Sequence, residues 1–155
     1  MSGENSLSMI ALIQRVDEAH VYIDEKLKSR IQKGLLVFLG IERGDQVKDA
    51  DYLLEKVLNL RVFEDFQGKM NLSVIDIAGE LLVVSQFTLL ADCRKGRRPS
   101  FTGAEAPDQA KNLYEYFLDK GNQVYGKISC GEFQAMMKIH LINDGPVTLS
   151  ISSRT

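Results

Sequence analysis

The run Gly34–Ile41, GLLVFLGI, is eight residues without a charged side chain. A strand with one face in water alternates apolar and polar residues. A continuous apolar run leaves no face for water, so this segment reads as a strand buried on both sides. Such a strand needs neighbours beside it and layers over it. Upstream, Ile10–Val16 (IALIQRV), Ala19–Ile23 (AHVYI) and Lys26–Ile31 (KLKSRI) read as short strands separated by acidic turn residues, a meander. Downstream, Val47, Ala50, Leu53, Leu54, Val57 and Leu58 recur at helical spacing behind Asp45, a fitting N-cap, and this helix should end near Leu60. Glu64–Lys69 (EDFQGK) is a turn, and Glu80–Leu90 contains a second strong strand, LLVVSQFTLL. The segment Ala91–Pro107 is irregular. Pro107 suits the first position of a helix whose stripe is Ala110, Leu113, Tyr114, Phe117 and Leu118.

Two late strands, about Phe133–Ile142 and Val147–Ser152, flank Asn143-Asp144-Gly145-Pro146-Val147-Thr148. Asp-Gly predicts a hairpin turn there, while Pro146 has no N–H to give a sheet. The expected architecture is α+β: a single domain over residues 9–155, with a largely antiparallel, barrel-like sheet covered by two main helices. Met1–Ser8 reads as a disordered leader.

Bulk properties narrow the function classes. A net charge of −2 offers no global field for nucleic acid, so any such contact must be local. Cys93 and Cys130 are too few and too far apart for a disulfide framework or a metal knuckle. No apolar run approaches the ~20 residues of a membrane span, and MSGENSLS lacks a signal layout. A cytoplasmic protein without membrane contact is expected.

The familiar catalytic signatures are missing: no H-E-x-x-H, no Walker A loop, no G-x-S-x-G elbow. His20 and His140 supply no constellation, and neither cysteine has the neighbouring histidine of a thiolate nucleophile. Two features remain. Ser85-Gln86-Phe87-Thr88 places polar groups where a buried strand meets a loop, a position suited to lining a cleft. Spacing alone favours the plainer reading, polar side chains satisfying one another or nearby backbone. Arg94-Lys95-Gly96-Arg97-Arg98 puts four positive charges into five residues. Alone it reads as a solvated loop; just downstream of a polar cleft it is placed to hold phosphates.

Seven ordered blocks, spread over nearly the whole chain from Met9, carry a resemblance to a known family. They are QRV (Gln14–Val16), KGLLVFLGI (Lys33–Ile41), DADYLLEKVLNLRVFED (Asp49–Asp65), GKMNLSV (Gly68–Val74), VVSQFTLLAD (Val83–Asp92), RKGRRPSF (Arg94–Phe101) and NDGPVTL (Asn143–Leu149). The chain resembles the D-aminoacyl-tRNA deacylases, first described as acting on D-tyrosyl-tRNA. The resemblance implies a homodimer, with active sites at the subunit interface, that hydrolyses the ester joining a D-amino acid or glycine to the 3′ end of tRNA. It implies no cofactor and no metal. Family motifs would line the site as Ser85, Gln86 and Thr88, and as Gly145-Pro146, whose bond in the family is cis and projects into the other subunit's pocket.

By the same resemblance Arg15 would hold the Gly-Pro loop, and Phe87, Phe133 and Met137 would lie near the adenosine or the amino acid. Thr88 and Gln86 would act at the ester as positioning groups, with the Gln86–Thr88 backbone as oxyanion donor and the substrate's 2′-hydroxyl assisting. The projecting Gly-Pro segment would exclude L side chains, and Arg94, Lys95, Arg97 and Arg98 would meet tRNA phosphates. Gln134 and Met136 stand where the family commonly has glycine and aspartate, so that wall should be reshaped. Two other readings stay open: a non-catalytic nucleic-acid-binding module, motivated by Arg94–Arg98, and a small-molecule esterase.

Overall fold

The computed structural model describes residues 8–154. Its centre is β1 (Ile10–Ile23), one strand of 14 residues where two were expected. Asp17 and Glu18 do not turn the chain. They lie in the strand, and Glu18 pairs with Ile142. One edge of β1 pairs antiparallel with β3 (Gly34–Gly40) over Ile10–Val16 and then with β2 (Lys26–Ile31) over Ala19–Ile23. Its other edge pairs along nearly its whole length with β8 (Lys138–Ser152).

Beyond β3 the pairing becomes parallel: β6 (Glu80–Ser85) lies against β3, and β7 (Ile128–Cys130) lies against β6. Parallel neighbours need long crossovers. The first carries α1 (Val47–Asn59) and a small hairpin, β4 (Phe63–Glu64) with β5 (Met70–Leu72), and the second carries α2 (Pro107–Val124). At the far ends Ser29 Oγ of β2 donates to the Cys130 carbonyl of β7 at 2.8 Å, so the sheet curls into a nearly closed barrel.

This curl explains the uninterrupted apolar run of β3. Leu35, Val37 and Leu39 of β3 pack with Leu53, Val57, Leu113 and Phe117 of the two helices. Leu36 faces the other way, into a second cluster with Val16, Val21, Ile31, Leu82 and Val84. Burying a side chain of this size stabilises by about 1.5–3 kcal/mol, so β3 and β6 contribute strongly to the core. At Gly34 there is no room for a side chain: a Cβ there would lie 1.8 Å from the Glu80 carbonyl oxygen.

Four local expectations are corrected. The N-cap of α1 is Gln46, whose N–H is taken by the Asp49 carboxylate at 2.8 Å. Asp45 instead accepts the Glu42 N–H at 2.7 Å and pairs with Arg154. The strand LLVVSQFTLL stops at Ser85, because the Gln86 N–H is the last to reach β3; Phe87–Leu90 is a 3-10 helix. Phe133–Met137 lies outside β8, with Gln134 at φ 64°.

Finally, Asp144-Gly145 makes no hairpin turn. β8 runs through it as a bulge in which four residues, Asp144–Val147, stand opposite the single residue Arg15. The Gly145–Pro146 bond within the bulge is cis. Most of the expected leader falls outside the described residues, but Ser8 is buried and accepts the Arg154 N–H at 2.9 Å. Among the described residues no helix is long and apolar enough to cross a membrane.

Candidate active site

A cleft of about 810 Å³ opens beyond the C-terminal ends of the parallel pair β3 and β6. Open sheets place ligands at such ends because the chain leaves them in loops. The register aligns Leu39 with Ser85, and the Gln86 N–H donates to the Leu39 carbonyl at 2.9 Å. With its last ladder bond made, the chain coils into Phe87–Leu90. Ser85, Gln86 and Phe87 form one wall, Phe133–Met137 another, and Ile41, Arg43 and Ala104–Pro107 complete the rim.

The Gln86 side-chain amide donates to Thr88 Oγ1, which ties Thr88 to the wall although it stands exposed. The Leu89 N–H returns to the Gln86 carbonyl at 3.3 Å. The N–H groups of Phe87 and Thr88 have no acceptor among the described residues. The expected oxyanion donors therefore narrow to these two, since the Gln86 N–H is committed to β3.

Aromatic packing sets the cleft's shape. Phe87 is 57% exposed and meets Phe101 edge-on, with ring centroids 5.1 Å apart. Phe133 packs on Tyr114 at 5.9 Å. Tyr114 in turn donates its hydroxyl to the Val83 carbonyl at 2.8 Å, and burial holds that hydroxyl protonated well above the usual tyrosine range. Met137 rests against Gly131, where an added Cβ would sit 2.6 Å from its sulfur.

Arg15, Gly145 and Pro146 form a separate assembly at the β8 edge. The buried Arg15 donates through Nη1 to the Val62 carbonyl at 2.7 Å and through Nε to the Asp144 carbonyl at 3.1 Å. It also lies 3.3 Å from the Asp144 carboxylate and 3.9 Å from that of Glu64. One guanidinium thus joins the bulge to the β4 hairpin. Gly145 and Pro146 stand exposed and do not line the cleft of their own chain.

The basic residues occupy a third place. Asp92 and Ser100 exchange both backbone hydrogen bonds, at 2.7 and 2.9 Å, and pinch off the loop that carries Arg94, Lys95, Arg97 and Arg98. Arg94 bonds the Asp92 carboxylate at 2.9 and 2.8 Å, and this lowers the Asp92 pKa from 3.8 to about 2. Lys95, Arg97 and Arg98 are exposed, without ion pairs among the described residues. None of the four lines the cleft, although Phe101, just past the loop, does.

The structure therefore brings Ser85, Gln86, Phe87, Phe133 and Met137 together, with Thr88 beside them, and sets the other expected site residues apart. Sequence reasoning missed Arg43 and Glu105, both on the cleft wall. The available signal was Arg43's place just past the buried strand, but nothing local shows that β3 ends beside β6.

Comparison with known proteins agrees with this architecture. Residues 12–152 match the family model described as D-Tyr-tRNA(Tyr) deacylase. The chain is similar to the D-aminoacyl-tRNA deacylase of Syntrophus aciditrophicus, with 58% identity over 146 residues that cover 94% of this chain and 98% of that protein. The corresponding protein of Thermosipho melanesiensis is 53% identical over 147 residues, covering 94% and 98%. Among solved structures, the c-Myc DNA unwinding element binding protein superposes with a TM-score of 0.87 at 41% identity, covering 92% of this chain and 97% of that one. A probable eukaryotic D-amino acid tRNA deacylase superposes at 0.83 with 16% identity, over 93% and 98%, which shows a shared fold.

Proposed function

Because the chain belongs to the D-Tyr-tRNA(Tyr) deacylase family, we propose that it hydrolyses the ester of D-aminoacyl-tRNA in the cleft beyond β3 and β6. The observation that carries this reading is the pair of uncommitted N–H groups, that of Phe87 on the cleft wall with Ser85 and the Gln86 amide, and that of Thr88 next to it in sequence. An aminoacyl ester is already activated. Its hydrolysis needs a placed water and a stabilised oxyanion, not a nucleophile and base. The lining fits that requirement: it holds no histidine, cysteine or lysine, and its one carboxylate, Glu105, is taken up by the Gly44 and Ala106 N–H groups rather than by Ser85.

In this reading the two N–H groups receive the negative charge that develops on the carbonyl oxygen. Gln86 holds Thr88, and the pair orients the ester, while the substrate's own 2′-hydroxyl assists the attacking water. Phe87, Phe133 and Met137 give apolar surface for the adenosine and the amino-acid side chain. Arg94, Lys95, Arg97 and Arg98 meet phosphates of the tRNA body.

Chiral selection falls to the Asp144–Val147 bulge of a second copy. The bulge is exposed, is braced by Arg15, and does not enter its own cleft. It lies on the β8 edge beside exposed Leu141 and Ile142, apolar surface that a second subunit would cover. A rigid backbone projecting into the neighbour's cleft collides with an L side chain but admits hydrogen or a D side chain. Glycyl-tRNA is then a substrate too, and the cytoplasm, where tRNA is charged, is the place of action.

The test is release of free D-tyrosine from D-Tyr-tRNA by the purified protein. Release well above the spontaneous rate is expected. Salt-sensitive binding of uncharged tRNA with no release would overturn the hydrolase in favour of a binding module.

A further inference from the structure

The cleft wall carries two charged side chains, Glu105 and Arg43. The Glu105 carboxylate is occupied, accepting the Gly44 N–H at 3.0 Å and the Ala106 N–H at 2.8 Å. The acidic neighbours of Arg43 are occupied as well. Glu42 lies 4.0 Å from Arg154, and Asp45 pairs with Arg154 while accepting the Glu42 N–H. Arg43 is exposed and has no ion pair among the described residues. Its backbone is nevertheless fixed: its N–H donates to the Gly103 carbonyl at 2.9 Å, and Glu42 bridges Ala104. A cation is thus held on a rigid base at the mouth of the cleft, with no protein carboxylate assigned to it.

We propose that Arg43 grips the 5′-phosphate of the substrate's terminal nucleotide, an inference that rests on the hydrolase reading above. The ester sits on the terminal ribose, and the nearest anion is the phosphate on that same sugar. Holding the ester at Gln86–Thr88 brings this phosphate to the rim, where the chain leaving β3 past Leu39, the partner of Ser85, reaches Arg43. The basic loop does not line the cleft, so the charge next to the reacting sugar falls to Arg43. A guanidinium fork matches phosphate oxygens and is always charged.

The test compares two minimal esters, 2′(3′)-O-D-tyrosyl-adenosine and its 5′-phosphorylated form. Wild type should prefer the phosphorylated ester. In Arg43→Gln that preference, read as the ratio of the two kcat/KM values, should fall roughly tenfold or more, as expected for a lost charge-assisted hydrogen bond, mostly through KM. Arg43→Lys should restore part of it, and the exposed position should leave the thermal midpoint unchanged. A ratio unaltered by Arg43→Gln, or no preference in wild type, would overturn this inference alone. Wild type inert towards D-Tyr-tRNA itself would overturn the parent reading and this inference with it.

Discussion

Arg15 shows how much one side chain organises. It is 4% exposed, and its donors satisfy two backbone carbonyls, Val62 and Asp144, that belong to different elements. Arg15→Ala leaves both acceptors unmatched. Such a loss costs about 1–3 kcal/mol, and a fall in melting temperature of roughly 2–4 °C for each kcal/mol should register it. The same variant should loosen the bulge, so its discrimination between D- and L-esters should fall as well. Asp92 gives a pH prediction. Its carboxylate, bonded first by the Arg94 side chain, has its pKa depressed to about 2. A depressed carboxylate pKa contributes stability that is present above the unfolded value and lost as pH falls through the folded one. The Asp92–Arg94 pair should therefore persist down to about pH 2 and below that release the Arg94 side chain. A carbon-13 titration of the Asp92 carboxyl should show no change between pH 7 and about 4, and Arg94→Ala should raise its midpoint.

Among the elements, β3 was the most legible, because burial of all but the half-buried Phe38 leaves a continuous apolar run and no other pattern. Both helices were legible for a similar reason, since an apolar stripe is local, although the cap of α1 fell at Gln46, one residue past the expected Asp45. Three other misses share a cause: each depended on a partner distant in sequence. Whether Asp17-Glu18 turns or continues is decided by β8, more than a hundred residues away. The end of β6 at Ser85 is decided by which β3 carbonyl the Gln86 N–H can reach. The Asp-Gly pair carries a hairpin signal, yet β1 runs past it on the other side and turns it into a bulge. In the site, the Ser85–Thr88 motif was visible and the grouping with Phe133 and Met137 came from resemblance; Arg43 was visible in neither way. One element-scale prediction follows from close approach. Gly34→Ala puts a methyl 1.8 Å from the Glu80 carbonyl and must separate β3 from β6. Overpacking of this kind costs about 1–3 kcal/mol, and chemical denaturation should show at least that loss.

At the scale of the molecule, the cleft and the bulge lie apart in one chain, so the proposed chiral selection requires two. Light scattering should return twice the 17.4 kDa chain mass, and Leu141→Asp with Ile142→Asp should shift it towards the single-chain mass and weaken D/L discrimination. The bulge itself can be altered without touching the cleft. Gly145 has φ 127°, and a Cβ there would lie 3.0 Å from the Val147 nitrogen and 3.2 Å from Arg15 Nη2. Gly145→Ala must therefore displace the bulge. The most direct measurement is a single-turnover comparison of D-Tyr-tRNA and L-Tyr-tRNA hydrolysis by wild type and Gly145→Ala. Wild type should clear the D-ester while the L-ester outlasts it, and Gly145→Ala should narrow that gap. Equal rates for the two esters with wild type, or an unchanged ratio with Gly145→Ala, would contradict the account.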